Sequence, residues 1–252
     1  MSEISQIYTF DEIDSTNDYA KKIAGEGAVA GTVVIAGRQT AGRGRMGRTF
    51  ISPAGSGLYM SVIIRPGSEF ADAVPLTSAA AVAVCRVIRR MTGADAGIKW
   101  VNDIYINEKK VCGILTEAVP DPKTGRLDSV VVGIGINCVR PADEVVLSMP
   151  EDVQTRIGWL FDKAENMSFT PAELAEAVAE EVISMSREIK TGTYIDEYKK
   201  YSIVLGKKIV FISQGEKQSA LALDIDKAGG LVVLLPDNTQ KTLSSGEISI
   251  RW

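Results

Sequence analysis

Hydrophobic positions along this chain follow two rhythms, one helical and one alternating, and the switches between them predict the elements. Ser15-Thr16-Asn17-Asp18 fits the S-x-x-D capping box ahead of an amphipathic stretch, so a short helix is expected from there to about Ala24. Residues 32–39 and 58–65 are apolar and read as buried strands. Residues 75–91 predict a long helix. Pro75 opens it, its interior is rich in alanine, Arg86, Arg89 and Arg90 lie near its end, and Gly93 stops it. A strand-rich block follows at 98–100, 103–107, 110–119 and 127–137, with Asn107-Glu108-Lys109 as a hairpin turn. Thr170-Pro171-Ala172-Glu173 is a second capping box, opening a helix to about Ile189, and a shorter helix is expected around 194–201.

From Gly206 the rhythm shortens. Small β-type runs are separated by Gln214-Gly215-Glu216, Lys227-Ala228-Gly229-Gly230 and Pro236-Asp237-Asn238. About five short strands in so brief a stretch predict a small barrel-like domain. The expected organisation is therefore a mixed α+β body over 1–203 and a β-rich domain over 204–252, with no repeat or low-complexity tract.

Composition narrows the chemistry more than the fold. Hydrophobic residues make up 45% and charged residues 24% of the 252, an ordinary globular balance. There is no histidine, which excludes a Ser-His-Asp triad, a Cys-His pair and an H-E-x-x-H zinc helix. With 28 basic and 32 acidic residues the net charge is −4, which argues against nucleic-acid binding by the surface at large. Cys85, Cys112 and Cys138 lie far apart in apolar runs, so buried reduced thiols and a cytoplasmic compartment are expected. The first residues carry no signal-peptide pattern, and the longest apolar stretches, 79–85 and 130–136, are too short to span a membrane.

Three segments carry candidate chemistry. In the first, Arg43, Arg45 and Arg48 alternate with Gly42, Gly44 and Gly47 after a strand. The spacing formally matches G-x-G-x-x-G, but Thr49-Phe50-Ile51-Ser52-Pro53 is no helix start, so the dinucleotide fingerprint is rejected. Glycines let backbone approach a ligand, arginines offer planar forks to phosphate or carboxylate, and crowded guanidiniums repel until an anion fills the gap. An anion-binding loop that orders over its ligand is the expectation, against a plain solvated basic loop. In the second segment, Lys110 lies three residues before Gly113, so on a regular strand the two face opposite ways, and only a bulge or hairpin end brings both to one ligand. Spacing alone leaves a structural hairpin with exposed lysines equally open. In the third, Gly133 and Gly135 bare one face of a buried strand, either for a flat ligand or for a closely packed helix.

Together these pieces resemble the biotin–protein ligases. The resemblance rests on Ser15-Thr16-Asn17, the run from Gln39 to Arg48, Lys99-Trp100-Val101-Asn102-Asp103, the run from Lys110 to Glu117, the run from Gly133 to Asn137, and the tail from Gly246 to Arg251. Two departures are visible: Val101 stands where the motif usually has proline, and Phe50 where it often has tryptophan. The chain begins directly at the catalytic body, so the resemblance is to the ligase-only form, without operator binding. It implies an α+β fold, a mixed sheet with flanking helices plus a small SH3-like C-terminal barrel.

The activity so implied has two steps: biotin and ATP give biotinyl-5′-AMP, and a lysine of a biotin carboxyl carrier domain then takes the biotin. By the same resemblance Ser15, Thr16, Asn17, Gln39, Gly42, Arg43, Gly44, Arg45, Lys110, Gly113, Gly133 and Gly135 border biotin. Arg45, Arg48, Phe50, Asn102, Asn137 and Arg251 face the nucleotide. Lys110, Arg43 and Arg45 carry the first step. Asp103 is expected to orient or deprotonate the acceptor lysine. Mg²⁺ is expected to arrive with ATP rather than in a protein-only site, and a homodimer is compatible with the family. The rivals are a lipoate or octanoate ligase or transferase on a related fold, and a non-catalytic biotin sensor.

Overall fold

The computed structural model describes residues 3–66, 74–121, 123–213, 216–244 and 246–250. Seven strands form one mixed sheet: β1 (Gln6–Phe10), β2 (Thr32–Ala36), β3 (Gly57–Ile64), β4 (Gly97–Lys99), β5 (Asp103–Ile106), β6 (Lys109–Pro120) and β7 (Leu127–Asn137). Their order is β1-β2-β3-β7-β6-β5-β4. Only the β1–β2 pair is parallel. β1 was not predicted. It is an edge strand with mostly exposed or half-buried residues, so it carries no clean alternation to detect.

Alternation in the central strands assigns the two faces. Val33, Val62 and Val132 point to a large core with α2 (Val74–Thr92), α5 (Pro171–Glu188) and α6 (Tyr194–Tyr201). Val34, Ile63 and Val131 point the other way, onto α1 (Thr16–Gly25). α1 has only ten residues, so it covers part of that face. Under its first turn and just past it the strands carry Ser61, Gly133 and Gly135 instead of large apolar side chains. The room these small residues leave is where the candidate site lies.

The predicted helices all form. Ser15 caps α1 by accepting from the Asp18 N–H at 3.3 Å, but the return bond of the expected box is missing. Asp14 instead accepts from the Ser15 N–H at 2.7 Å, which frees Asp18 for ion pairing. The Thr170–Glu173 box on α5 is complete. The strand expected over 32–39 ends at Ala36, and the chain then turns to present Gln39. Two short helices, α3 (Asp143–Leu147) and α4 (Glu151–Gln154), were not foreseen.

The β-rich tail is a five-stranded antiparallel sheet, ordered β11-β10-β9-β8-β12. Its strands are β8 (Lys208–Ser213), β9 (Glu216–Ile225), β10 (Leu231–Leu234), β11 (Gln240–Leu243) and β12 (Ile248–Ile250). Its inner residues Ile209, Ala222, Leu231 and Val233 join the large core. The turn at Asp226–Gly230 reaches into the body, where the buried Trp100 indole N–H donates to the Gly229 carbonyl at 2.9 Å. All three cysteines are buried and free. Burial pushes the thiols of Cys85 and Cys138 up to about 12 and about 11. No helix among the described residues is long and apolar enough to cross a membrane.

An ion cluster ties the helical layer together. Arg86 on α2 bonds Glu181 on α5 at 2.5 Å and Glu197 on α6. The Arg86 bond holds Glu197 below its ordinary 4.5. A carboxyl depressed on folding adds stability that is complete above its unfolded pKa and is lost as pH falls through the folded one. Arg86→Met therefore should lower stability by about 2 kcal/mol at pH 7, measured by urea denaturation. The gap to the parent protein should narrow as the pH is taken below 4.5.

Candidate active site

A cavity of about 240 Å³ opens on the α1 face of the large sheet. Three glycines form its floor. Gly113 on β6 pairs in register with Gly135 on β7, and Gly133 pairs with Leu115 one step along. Two polar side chains close one end. A Cβ on Gly133 would stand 2.0 Å from the Asn17 amide oxygen, so glycine is what lets Asn17 lie on the strand. Buried Ser61 donates to that oxygen at 2.6 Å, and the Asn17 amide nitrogen donates to Glu117 at 2.9 Å. Phe50 lies on the other two glycines: added Cβ atoms would come within 2.4 Å of its ring at Gly135 and 3.2 Å at Gly113. The floor is thus covered by a loop aromatic at Gly113 and Gly135 and by Asn17 of α1 at Gly133, so the reading of a closely packed helix holds at Gly133.

The loop from Gln39 to Phe50 is fastened at its root. Gln39 accepts from both the Thr16 N–H, at 2.9 Å, and the Thr16 hydroxyl, and donates to Ser52 at 2.9 Å. Gly44 and Phe50 donate backbone N–H groups to Arg48 and Gly42 at 2.7 and 2.8 Å, folding the arginine run back on itself. A Cβ on Gly42 would meet the Phe50 carbonyl at 2.4 Å, so this crossing requires glycine.

Expected repulsion among the arginines is resolved differently from the sequence reading. Each guanidinium has its own protein partner. Arg43 bonds Asp18 at 2.5 Å and Glu117 at 3.1 Å, and Lys21 bridges the same two carboxylates. Burial pushes the Asp18 carboxyl up, but the bonds to Lys21 and Arg43 outweigh it and hold it below its ordinary value. Arg45 donates to the Asn102 side-chain oxygen at 2.9 Å. Arg48 pairs with Glu247 at 2.5 Å. No anion is needed to keep the three apart.

Lys110 reaches the floor through the bulge that the sequence required. Ile104 pairs with Cys112 and Tyr105 with Lys110, which leaves Val111 unpaired and turns Lys110 onto the face of Gly113. A Cβ on Gly113 would lie 3.1 Å from the Lys110 ammonium. Asp103 pairs with that ammonium at 2.7 Å, with both side chains half-buried. Asn102 fixes the neighbouring backbone, donating to the Ile114 carbonyl at 2.8 Å and accepting the Ile114 N–H at 2.9 Å. Asn137 is buried and spends its amide N–H groups on the carbonyls of Gly158 and Lys110, so it holds the site together.

All the expected residues within the described range come together here except Gly42, which supports the loop from behind the lining. Arg251 lies outside the described residues. Lys99, Arg156 and Glu247 also line the cleft, and sequence reasoning gave them no role. Arg156 had no signal to find it by, since it sits in an irregular segment far from every motif. Among the described residues no three His, Cys, Asp or Glu side chains converge to hold a metal ion.

A cleft floored by glycine-bearing strands, covered by Phe50 and Asn17 and ringed by arginine and lysine, with no imidazole, defines a protein whose site chemistry suits an anion. The chain belongs to the Biotin/lipoate A/B protein ligase family, which residues 9–137 match, and residues 204–251 match the Biotin protein ligase C terminal domain. It is 46% identical over 134 residues to the Bifunctional ligase/repressor BirA of Bacillus spizizenii, covering 53% of this chain and 41% of that protein. The match therefore spans under half the length of that relative. To the Bifunctional ligase/repressor BirA of Salmonella typhimurium it is 33% identical, covering 95% of this chain and 72% of that protein. The fold is similar to a biotin protein ligase from Aquifex aeolicus in complex with biotin and ATP, with a TM-score of 0.81, 27% identity and coverage of 98% and 99% of the two chains.

The Gly133–Asn17 contact gives a direct check. Gly133→Ala should displace Asn17 from Ser61 and Glu117 and cost about 2 kcal/mol of stability in urea denaturation, as overpacking of a rigid contact does.

Proposed function

We propose that this chain is a biotin–protein ligase that forms biotinyl-5′-AMP and transfers biotin to a lysine of a biotin carboxyl carrier domain. The observation that carries the reading is Lys110, turned by a bulge onto the glycine floor beneath the arginine loop. In the first step a biotin carboxylate oxygen attacks the α-phosphorus of ATP, and the bond to the bridging oxygen breaks to release pyrophosphate. The carboxylate is already ionised at neutral pH, so the step needs no base. It needs relief of anion–anion repulsion and in-line positioning, which fixed cations supply. Lys110 and Arg45 stand where both reactants would meet, and Arg43 keeps the loop docked on α1 and β6 through Asp18 and Glu117.

Ser15, Thr16, Asn17 and Gln39 supply polar groups for the ureido end of biotin, beside the backbone of Gly42, Gly44, Gly113, Gly133 and Gly135. Phe50 would give way from the floor to lie against the bound ligand. Arg48, Asn102 and Asn137 border the nucleotide, with Arg251 added from the tail. Mg²⁺ is read as entering on the ATP phosphates. In the second step the acceptor lysine, once neutral, attacks the acyl carbon and AMP leaves. Asp103, relieved of Lys110 by the phosphate, orients that lysine or takes its proton. The same reading takes 1–203 as the catalytic unit and 204–252 as the small second unit. It makes acetyl-CoA carboxylase the source of the acceptor domain, places the protein in the cytoplasm, allows a homodimer and assigns no DNA binding.

Mass spectrometry of a carrier domain incubated with this protein, biotin and Mg-ATP should show one added biotinyl group. Lipoate should give no comparable ATP–pyrophosphate exchange, and a carrier left unmodified would make the protein a sensor instead. Lys110→Ala should slow pyrophosphate release by about 10²–10³-fold with carrier affinity unchanged. Asp103→Asn, given preformed biotinyl-5′-AMP, should lose transfer to the acceptor. Transfer at the parent rate would remove Asp103 from the second step.

A further inference from the structure

Two cations on the cleft wall have no place in the reaction as described so far. Lys99 ends β4 in register with Asp103, and its ammonium lies 5.4 Å from the centre of the Tyr105 ring. Arg156 comes from the irregular segment after α4, and this segment is laced to Lys110. The Lys110 N–H donates to the Arg156 carbonyl at 2.7 Å, the Gly158 N–H donates to the Lys110 carbonyl at 2.8 Å, and Lys109 donates to the Thr155 carbonyl at 2.6 Å. Gly158 has no room for a side chain, because a Cβ would stand 2.6 Å from that of Lys109. The lacing sets Arg156 next to the lysine that faces the floor.

The charges of this group oppose one another. Burial holds the Lys99 ammonium below its ordinary pKa, with Asp103 pulling up and Lys110 and Arg156 pushing down. Arg156 has an exposed carboxylate four residues earlier, Asp152, as its ion-pair partner. Exposed pairs of this kind are worth little, so an incoming anion exchanges for Asp152 at small cost. A single carboxylate would balance one of the three cations, whereas a polyphosphate balances them together, meeting a guanidinium fork and two ammonium points at once.

We propose that Lys99 and Arg156 form a pyrophosphate seat beside Lys110, gripping the β- and γ-phosphates of ATP and then the departing pyrophosphate. The inference rests on the ligase reading above. When the α-phosphorus–oxygen bond breaks, its electron pair passes to the bridging oxygen of the leaving group, and the seat stabilises that added charge. Arg156 lies outside the motifs of the resemblance.

Inorganic pyrophosphate titrated calorimetrically with Mg²⁺ into the full chain is the direct probe. Arg156→Gln and Lys99→Gln should each weaken pyrophosphate binding about tenfold, the loss of one charged contact, with Arg156→Lys intermediate. Both should raise the KM for ATP in adenylate formation, leave biotin affinity unchanged, and leave transfer from preformed biotinyl-5′-AMP at the parent rate. Pyrophosphate affinity within about twofold of the parent in both variants would overturn the seat. So would an equal loss in the transfer half-reaction, which would mark a structural role. If the parent protein makes no biotinyl-5′-AMP while pyrophosphate binding still depends on Lys99 and Arg156, the ligase reading fails and the seat stands.

Discussion

Six cationic side chains line one cleft of this protein, and the folded state has to offset their repulsion before any ligand arrives. It does so by giving five of them separate anchors, while Lys99 lies over the Tyr105 ring. Arg43 is held by Asp18 and Glu117, Arg45 by a neutral amide, Arg48 by Glu247, Lys110 by Asp103 and Arg156 by Asp152. Most of these partners are at least partly exposed, so the pairs are weak and readily exchanged. The carboxylates keep the cations apart and oriented, and on the ligase reading they would act as placeholders that lose little when phosphate replaces them. The expectation of an anion-binding loop that orders over its ligand did not include this internal set of anions, because Asp18, Glu117 and Glu247 are remote from the loop in sequence.

The floor follows from a second constraint, the two-residue period of strands. Along β3 and β7, one set of positions feeds the large helical core while the other meets α1 and then runs out from under it. Ser61, Gly133 and Gly135 are buried, and their small size admits Asn17 and Phe50. On the ligase reading the same glycines would take a flat ligand. In the ligand-bound state Phe50 would trade a glycine surface for a ligand surface, so little apolar contact is lost on binding.

Much of the fold was legible because it depends on local rules. The capping boxes, the alanine-rich helix and the hairpin at Asn107 could be read from a few residues each. Asn107 and Glu108 do take the left-handed backbone that such a turn demands. The sheet edge β1 was not legible, since an exposed strand has no burial pattern to display. Nor was the third element of the site. The segment carrying Arg156 is placed by backbone bonds to Lys110 and by the fit of Gly158 against Lys109, and such pairings leave no periodic trace in sequence. The motifs named the strand residues and the arginine loop, but they did not reach Arg156.

The absence of histidine reads differently once the geometry is known. On the ligase reading a first step that joins two anions would have no proton to move, and a titrating imidazole among these cations would add a charge that varies with pH. Guanidiniums keep theirs across the whole physiological range, and Lys110 is paired with a carboxylate at 2.7 Å. Only the acceptor amine must lose a proton. Asp103 is the carboxylate already paired to the lysine on the glycine floor, and an incoming phosphate that satisfies Lys110 would release it. One carboxylate would thus serve both half-reactions in turn, as counter-ion before adenylate forms and as partner of the acceptor lysine afterwards.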